Sequence, residues 1–287
     1  MSVRPRVVII GSGFGGLSAV RHLDSVPVEV TVVDRDNYHG FWPLLYQVAT
    51  AALGSDSIAH PIRGMLAIHR NVRIRVANVT GVDLDERTVH LDGEPSLDYD
   101  YLIVAAGSSS ADFGIPGVRD YAFPLKTLPD AIRLRNHVLR TFEWADGYAG
   151  ALPDGALTFL LVGGGPTGVE MAGAMSELIR RNLANDFRHL DVTQARVILV
   201  EMNDHLLPGF HESSQTTALE SLRHEGVEVR FGVRLAKVTD SGATFEDGSS
   251  IEANTVVWTA GVQANPVLAG LDLEKSRGGT VVVNPDL

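Results

Sequence analysis

The sequence predicts an α/β protein in which one plan, a parallel sheet with helices and β-rich additions, is built twice. Three observations carry that prediction. The apolar run Arg6–Gly11 (RVVIIG) leads into a glycine turn and then a helical pattern, and Leu157–Gly163 (LTFLLVG) does the same. Each is followed by a further apolar strand that ends on an acid, Asp34 or Glu201. Strands apolar at nearly every position are those buried on both faces of a parallel sheet.

After the first turn, Leu17, Val20 and Leu23 recur at helical spacing, and Val28–Asp34 (VEVTVVD) completes a strand-turn-helix-strand unit. Residues 71–105 hold short strands at Val72–Val76, Val79–Leu84, Arg87–Leu91 and Tyr99–Gly107, a β-rich insert rather than a separate domain. Lys126–Asp146 is helical, with Ile132, Leu134, Val138 and Phe142 on or near one face. The second copy follows: a strand at Leu157–Gly163, a long helix over Pro166–Phe187, and a strand at Ala195–Glu201. A helix near 212–225 and strands at Val227–Gly232, Arg234–Asp240 and Ile251–Gly261 complete it. No low-complexity linker separates the copies, and the turn-rich Gly114–Asp120 sets the boundary near 115–125.

A length of 287 residues fits two domains of roughly 100–200 residues each. The net charge of -11 argues against a nucleic-acid partner, which requires clustered Lys and Arg. The chain has no cysteine, so disulfides, thiolate nucleophiles and Cys-based metal sites are excluded, and no metal ligands are assigned. Any redox chemistry then comes from a bound cofactor. The basic start has too few apolar residues for a signal-peptide core, and no run approaches the roughly 18 of a spanning helix. A soluble or at most peripheral, cytoplasmic protein is expected.

In Gly11-x-Gly13-x-x-Gly16 the first glycine allows the tight turn and the second lets the backbone approach a pyrophosphate. The third lets helix and strand pack closely, and the helix N-terminus offers unpaired amides to the anion. Asp34 follows 21 residues after Gly13, where its carboxylate is placed to accept from ribose hydroxyls. Gly163-x-Gly165-x-x-Gly168 repeats this logic, with Pro166 at the first helical position, where a missing N–H costs nothing. Glu201 lies 36 residues after Gly165, so the helix and the 182–194 loop between them must be long. A carboxylate there repels a 2′-phosphate, and no Arg follows in 201–205 to offset it, which favours NADH over NADPH. Two such Rossmann-like units suggest one held flavin and one exchanging nicotinamide, between which a hydride passes when the rings stack.

Further segments carry a resemblance. Asn37–Gly54 contains PLLYQVAT, and Tyr101–Ser109, Phe123–Val138, Asp204–Phe210 and Val256–Pro266 match in order. Together with the turns, they resemble the flavin-dependent pyridine-nucleotide oxidoreductases with two dinucleotide-binding domains. Within these, the likeness is to the type II NADH:quinone oxidoreductases, single-subunit and non-proton-pumping. The resemblance implies an FAD domain at 1–120, to which 262–287 returns, and an NADH domain at 121–261. The implied FAD contacts are Gly11, Ser12, Gly13, Phe14 and Gly15 in the turn, Asp34 and Arg35 at the ribose, His39, and the backbone at Val79 and Gly107. Those for NADH are Gly163, Gly165, Pro166, Thr167, Gly168, Glu201 and Gly261.

Glu170 falls on the acid of the family's GVE motif, which implies a catalytic role near the nicotinamide and flavin rings. Taken alone, it is equally an acid favoured by the helix dipole, by about 0.3–1 kcal/mol, and His39 a polar loop residue. The implied activity takes a hydride from NADH to FAD and two electrons on to a membrane quinone, menaquinone or ubiquinone. An NADH-dependent reductase of a ferredoxin- or rubredoxin-like partner is the second reading, and a nonenzymatic nucleotide-binding homologue the third. Disulfide and sulfide:quinone reductases are disfavoured because they need cysteines. In the family the region after Thr280–Leu287 carries a second flavin motif, a quinone-site helix and membrane-docking helices. The resemblance therefore implies the N-terminal part of a longer enzyme or a truncated homologue, binding FAD weakly and reducing quinone poorly. Peripheral contact with the inner face of the bacterial plasma membrane would come from that further region, and a homodimer is left open.

Overall fold

In the computed structural model, which describes residues 4–187 and 189–285, the apolar runs pair as parallel strands. Positions 1–3, which precede the basic Arg4 and Arg6, and the last two residues lie outside the described residues. The chain forms two units. One comprises Met1–Phe41, Ala59–Ser109 and Val262–Leu287, the other Trp42–Ile58 and Ser110–Gly261.

In the first unit the sheet order is Val72–Val76, Glu29–Asp34, Arg6–Ile10, Tyr101–Val104, all parallel. Alternate side chains of the central strand face opposite layers, as the two-residue strand period requires. Val7 and Ile9 pack with Val30, Val32 and the Leu17 and Val20 face of helix Phe14–Leu23, backed by Ile62 and Leu66. Val8, Ile10 and Val33 pack on the other side against Val89, Leu91 and Tyr99. That second layer is an antiparallel meander of Val79–Asp83, Thr88–Leu91 and Glu94–Asp98. Its third strand was not expected, because Glu94 and Pro95 weaken the alternation; pairing with Thr88–Leu91 supplies what the pattern lacks.

The second unit repeats the arrangement. Its parallel order is Ala122–Pro124, Thr255–Trp258, Thr158–Val162, Arg196–Val200, Glu228–Arg230. Leu160, Val162, Ile198, Val200, Val256 and Trp258 pack against Leu235, Val238, Ala243, Phe245 and Ile251 of a second meander. On the opposite side the helix Pro166–Glu177 lies on Thr158–Val162 and Arg196–Val200, with Phe142 stacked on Phe159 at 5.8 Å. Leaving aside the edge strand Ala122–Pro124, both sheets place their strands third, second, first, fourth in chain order. The fold is thus α/β with two Rossmann-like units, and in each the switch point lies beside the glycine-turn strand.

Other elements also differ from expectation. Ile251–Gly261 is two strands, Ser250–Glu252 and Thr255–Trp258, because Ala253 and Asn254 turn their amides to Ser241 O and Gly155 O at 3.1 and 2.9 Å. The meander strand Gly242–Phe245 was missed. The long helix after the second turn runs to Asp186 by widening into π-helical turns over Leu178–Leu183. The helix Leu128–Asp146 begins on a capping box in which Thr127 and Asp130 satisfy each other's amides. The short helix Leu45–Ala49, within the PLLYQVAT run, packs against Leu128–Asp146 and Pro166–Glu177 in the second unit.

Candidate functional site

The first turn leaves its strand at Gly11, whose φ of +99° suits glycine and whose amide donates to Val33 O at 2.8 Å. A Cβ at Gly16 would sit well inside contact distance of the Gly11 carbonyl, so that position is closed to any side chain. A Cβ at Gly13, by contrast, meets nothing within 4 Å. The helix makes its first internal bond from Leu17 N to Gly13 O, which leaves the amides of Phe14, Gly15 and Gly16 without an intrahelical acceptor. Asp34 closes the turn: its Oδ2 accepts from Ser12 N and Ser12 Oγ at 2.6 and 2.7 Å. His39 is buried and donates from Nδ1 to Ser12 O at 2.9 Å, with its ring edge-on to Phe14 at 5.4 Å.

Gly107, with φ +67°, follows the strand Tyr101–Val104 whose end crowds Gly11 through Ala105. Val79 opens the meander two residues after Ala77, whose amide donates to Asp34 O at 2.8 Å. Arg35 is not gathered in; its side chain is 63% exposed and pairs with Asp36 at 3.5 Å.

The second turn has the same geometry. Gly163 has φ +112° and donates to Val200 O at 2.9 Å, and a Cβ at Gly168 would meet the Gly163 carbonyl. Gly165 again faces open space, while Pro166 and Thr167 are exposed at the helix start. Glu201, 6% exposed, plays the part of Asp34: its Oε2 accepts from Gly164 N at 2.6 Å. Gly261, with φ +72°, follows Ala260, which lies 3.0 Å from a Cβ built on Gly163. Sequence reasoning missed three supports. Thr259 Oγ1 donates to Val162 O at 2.9 Å, Leu207 N donates to Gly164 O at 2.8 Å, and Asn203 donates to Glu201.

Glu170 lies one turn into the helix Pro166–Glu177, and its carboxylate makes no hydrogen bond or ion pair among the described residues. It keeps more than a third of its surface in solvent, yet partial burial pushes its carboxyl above the ordinary carboxylate range.

Both turns therefore offer helix-start amides, an open second glycine and an acid from the neighbouring strand, a set that fits a dinucleotide diphosphate and its sugar. A family model of the pyridine nucleotide-disulphide oxidoreductases matches residues 5–287. The chain belongs to the pyridine nucleotide-disulphide oxidoreductase family. It is 41% identical over 99% of its length to the type II NADH:quinone oxidoreductase Ndh of Mycobacterium tuberculosis, covering 64% of that protein. It is 32% identical over 95% of its length to the external alternative NAD(P)H-ubiquinone oxidoreductase B1 of Arabidopsis thaliana, covering 51%. The fold is also that of NDH2 from Plasmodium falciparum, solved in complex with NADH, with a TM-score of 0.86 and 22% identity over 93% of this chain and 57% of that one. The chain thus spans just under two thirds to about half of these relatives. No helix among the described residues is long and apolar enough to cross a membrane.

Proposed function

We propose that the chain takes FAD in the domain at 1–120 with 262–287 and NADH in the domain at 121–261, as an NADH dehydrogenase that reduces a membrane quinone. One observation carries the reading: two glycine turns, each closed by hydrogen bonds onto an acid from the neighbouring strand. Bound FAD supplies a two-electron acceptor for the hydride and a donor toward the quinone. Asp34 and Ser12 orient the first ribose, and the amides of residues 14–16 meet the diphosphate. Glu201 receives the adenosine ribose of NADH and repels a 2′-phosphate. Glu170, the acid of the family's GVE motif, is the proton-handling group of this reading, and partial burial raises its carboxyl above the ordinary range. The 41% identity to a type II NADH:quinone oxidoreductase supports quinone, menaquinone or ubiquinone, as acceptor. Peripheral attachment to the inner face of a bacterial plasma membrane accords with that reading.

The test is purified chain supplied with FAD, assayed for bound flavin absorbance and for NADH oxidation with a soluble quinone. Asp34→Ala is expected to lose flavin and Glu201→Ala to lose preference for NADH over NADPH. Wild-type protein that takes up neither nucleotide sinks the proposal.

A further inference from the structure

The acid of the second turn is held in a way the first is not. Three donors engage Glu201: Gly164 N on Oε2 at 2.6 Å, and Asn203 N and Nδ2 on Oε1 at 2.9 and 2.6 Å. Asn203 is itself anchored, since Gly232 N donates to its carbonyl at 3.0 Å. At Asp34 the side-chain donor is the turn's own Ser12 hydroxyl. The second turn has glycine at the matching position, Gly164, and so no hydroxyl of its own. A Cβ at Gly164 would come within 2.7 Å of Leu206 Cδ2 and 3.0 Å of Glu201 Oε2, so a hydroxyl-bearing residue there would displace the buried Leu206 and the acid itself. The orienting side chain arrives from elsewhere: Asn203 supplies it.

We propose that Asn203 is the positioning residue that sets nicotinamide-nucleotide selectivity, by fixing the Glu201 carboxylate toward an unphosphorylated adenosine ribose. The proposal rests on the second turn being the NADH site. With three donors from Gly164 and Asn203 on its two oxygens, Glu201 keeps about one lone pair, on Oε2, for a hydroxyl donor. A 2′-phosphate brings acceptors and negative charge to the same place. Swinging Glu201 aside to admit it breaks the Asn203 bonds and strands a buried carboxylate. Asn203 therefore makes the rejection rigid as well as the acceptance.

The experiment uses the full chain with FAD and measures Kd for NADH, NADPH and an NADH analogue lacking the adenosine 2′-hydroxyl. Wild type is expected to bind NADH more tightly than NADPH. Asn203→Ala is expected to weaken NADH by about tenfold, as loss of one bond to a charged acceptor allows. Asn203→Asp, which sets a carboxylate against Glu201, weakens it further. The analogue, which does not present the 2′-hydroxyl, loses far less in both variants, a difference general misfolding does not produce. Asn203→Gln, which keeps the amide, recovers part of the loss. Variants that keep wild-type affinity for NADH, or lose NADH and the analogue in equal proportion, overturn the role of Asn203. Wild type that binds NADH no better than NADPH instead overturns the reading of Glu201 as the selective acid.

Discussion

Gly13 and Gly16 stand three residues apart and face opposite surroundings. A methyl group at Gly13 meets nothing within 4 Å, whereas at Gly16 it runs into the Gly11 carbonyl. Gly16→Ala is expected to lower unfolding free energy in urea by about 1–3 kcal/mol, outweighing the roughly 1 kcal/mol that alanine lends a helix. Gly13→Ala is expected to leave the urea midpoint in place and to reduce flavin retention; a fall in both measurements would mean the position is structural. Glu170 gives a pH prediction. Partial burial raises its pKa from an ordinary 4.5, so the folded chain holds this proton more tightly than the unfolded one. Its contribution is then fully present below about pH 4.5 and is lost as pH rises through the raised folded value. Glu170→Gln is expected to melt slightly above wild type near pH 7 and level with it near pH 4, as calorimetry at the two pH values will show. At this scale the sequence displayed the glycines and both acids, because turn chemistry is local. Asn203 and Leu207 were not legible, since their partners Glu201 and Gly164 are chosen by how the 201–210 loop folds back.

The helix Leu128–Asp146 was legible from its 3.6-residue spacing, and its start is fixed by a reciprocal pair. Asp130 Oδ2 accepts from Thr127 N and Oγ1 at 2.9 and 2.7 Å, and Asp130 N donates back to Thr127 Oγ1 at 3.3 Å. Thr127→Ala is expected to cost about 1 kcal/mol in urea unfolding, and the double variant with Asp130→Ala little more than either single change. Additive losses would mean the two residues act separately. The parallel strands were equally legible, because burial on both faces writes an unbroken apolar run. The hairpin Tyr38–Gly40 with Ala59–Pro61 and the meander strands Glu94–Asp98 and Gly242–Phe245 were not. They are short, lie outside the parallel sheets and take their conformation from the strands they pair with rather than from an apolar pattern of their own.

For the molecule as a whole, the repeat of strand, turn, helix and strand announced two units before any pairing was known. What the repeat does not disclose is which strand stands where. In the first unit the strand made last, Tyr101–Val104, lies at the sheet edge. In the second, Thr255–Trp258 is inserted between Ala122–Pro124 and Thr158–Val162, in register with both. During synthesis, the second sheet therefore waits with a gap beside its edge strand Ala122–Pro124 until Trp258 has left the ribosome. Until then, the wholly buried strand Thr158–Val162 presents a bare apolar edge of the kind that templates aggregation. A chain stopped just before Thr255 is expected to sediment with the insoluble fraction and one stopped after Gly261 to remain soluble, as centrifugation of the two products will show. The demand for a chaperone should accordingly fall late in translation, when the first sheet already has all of its strands.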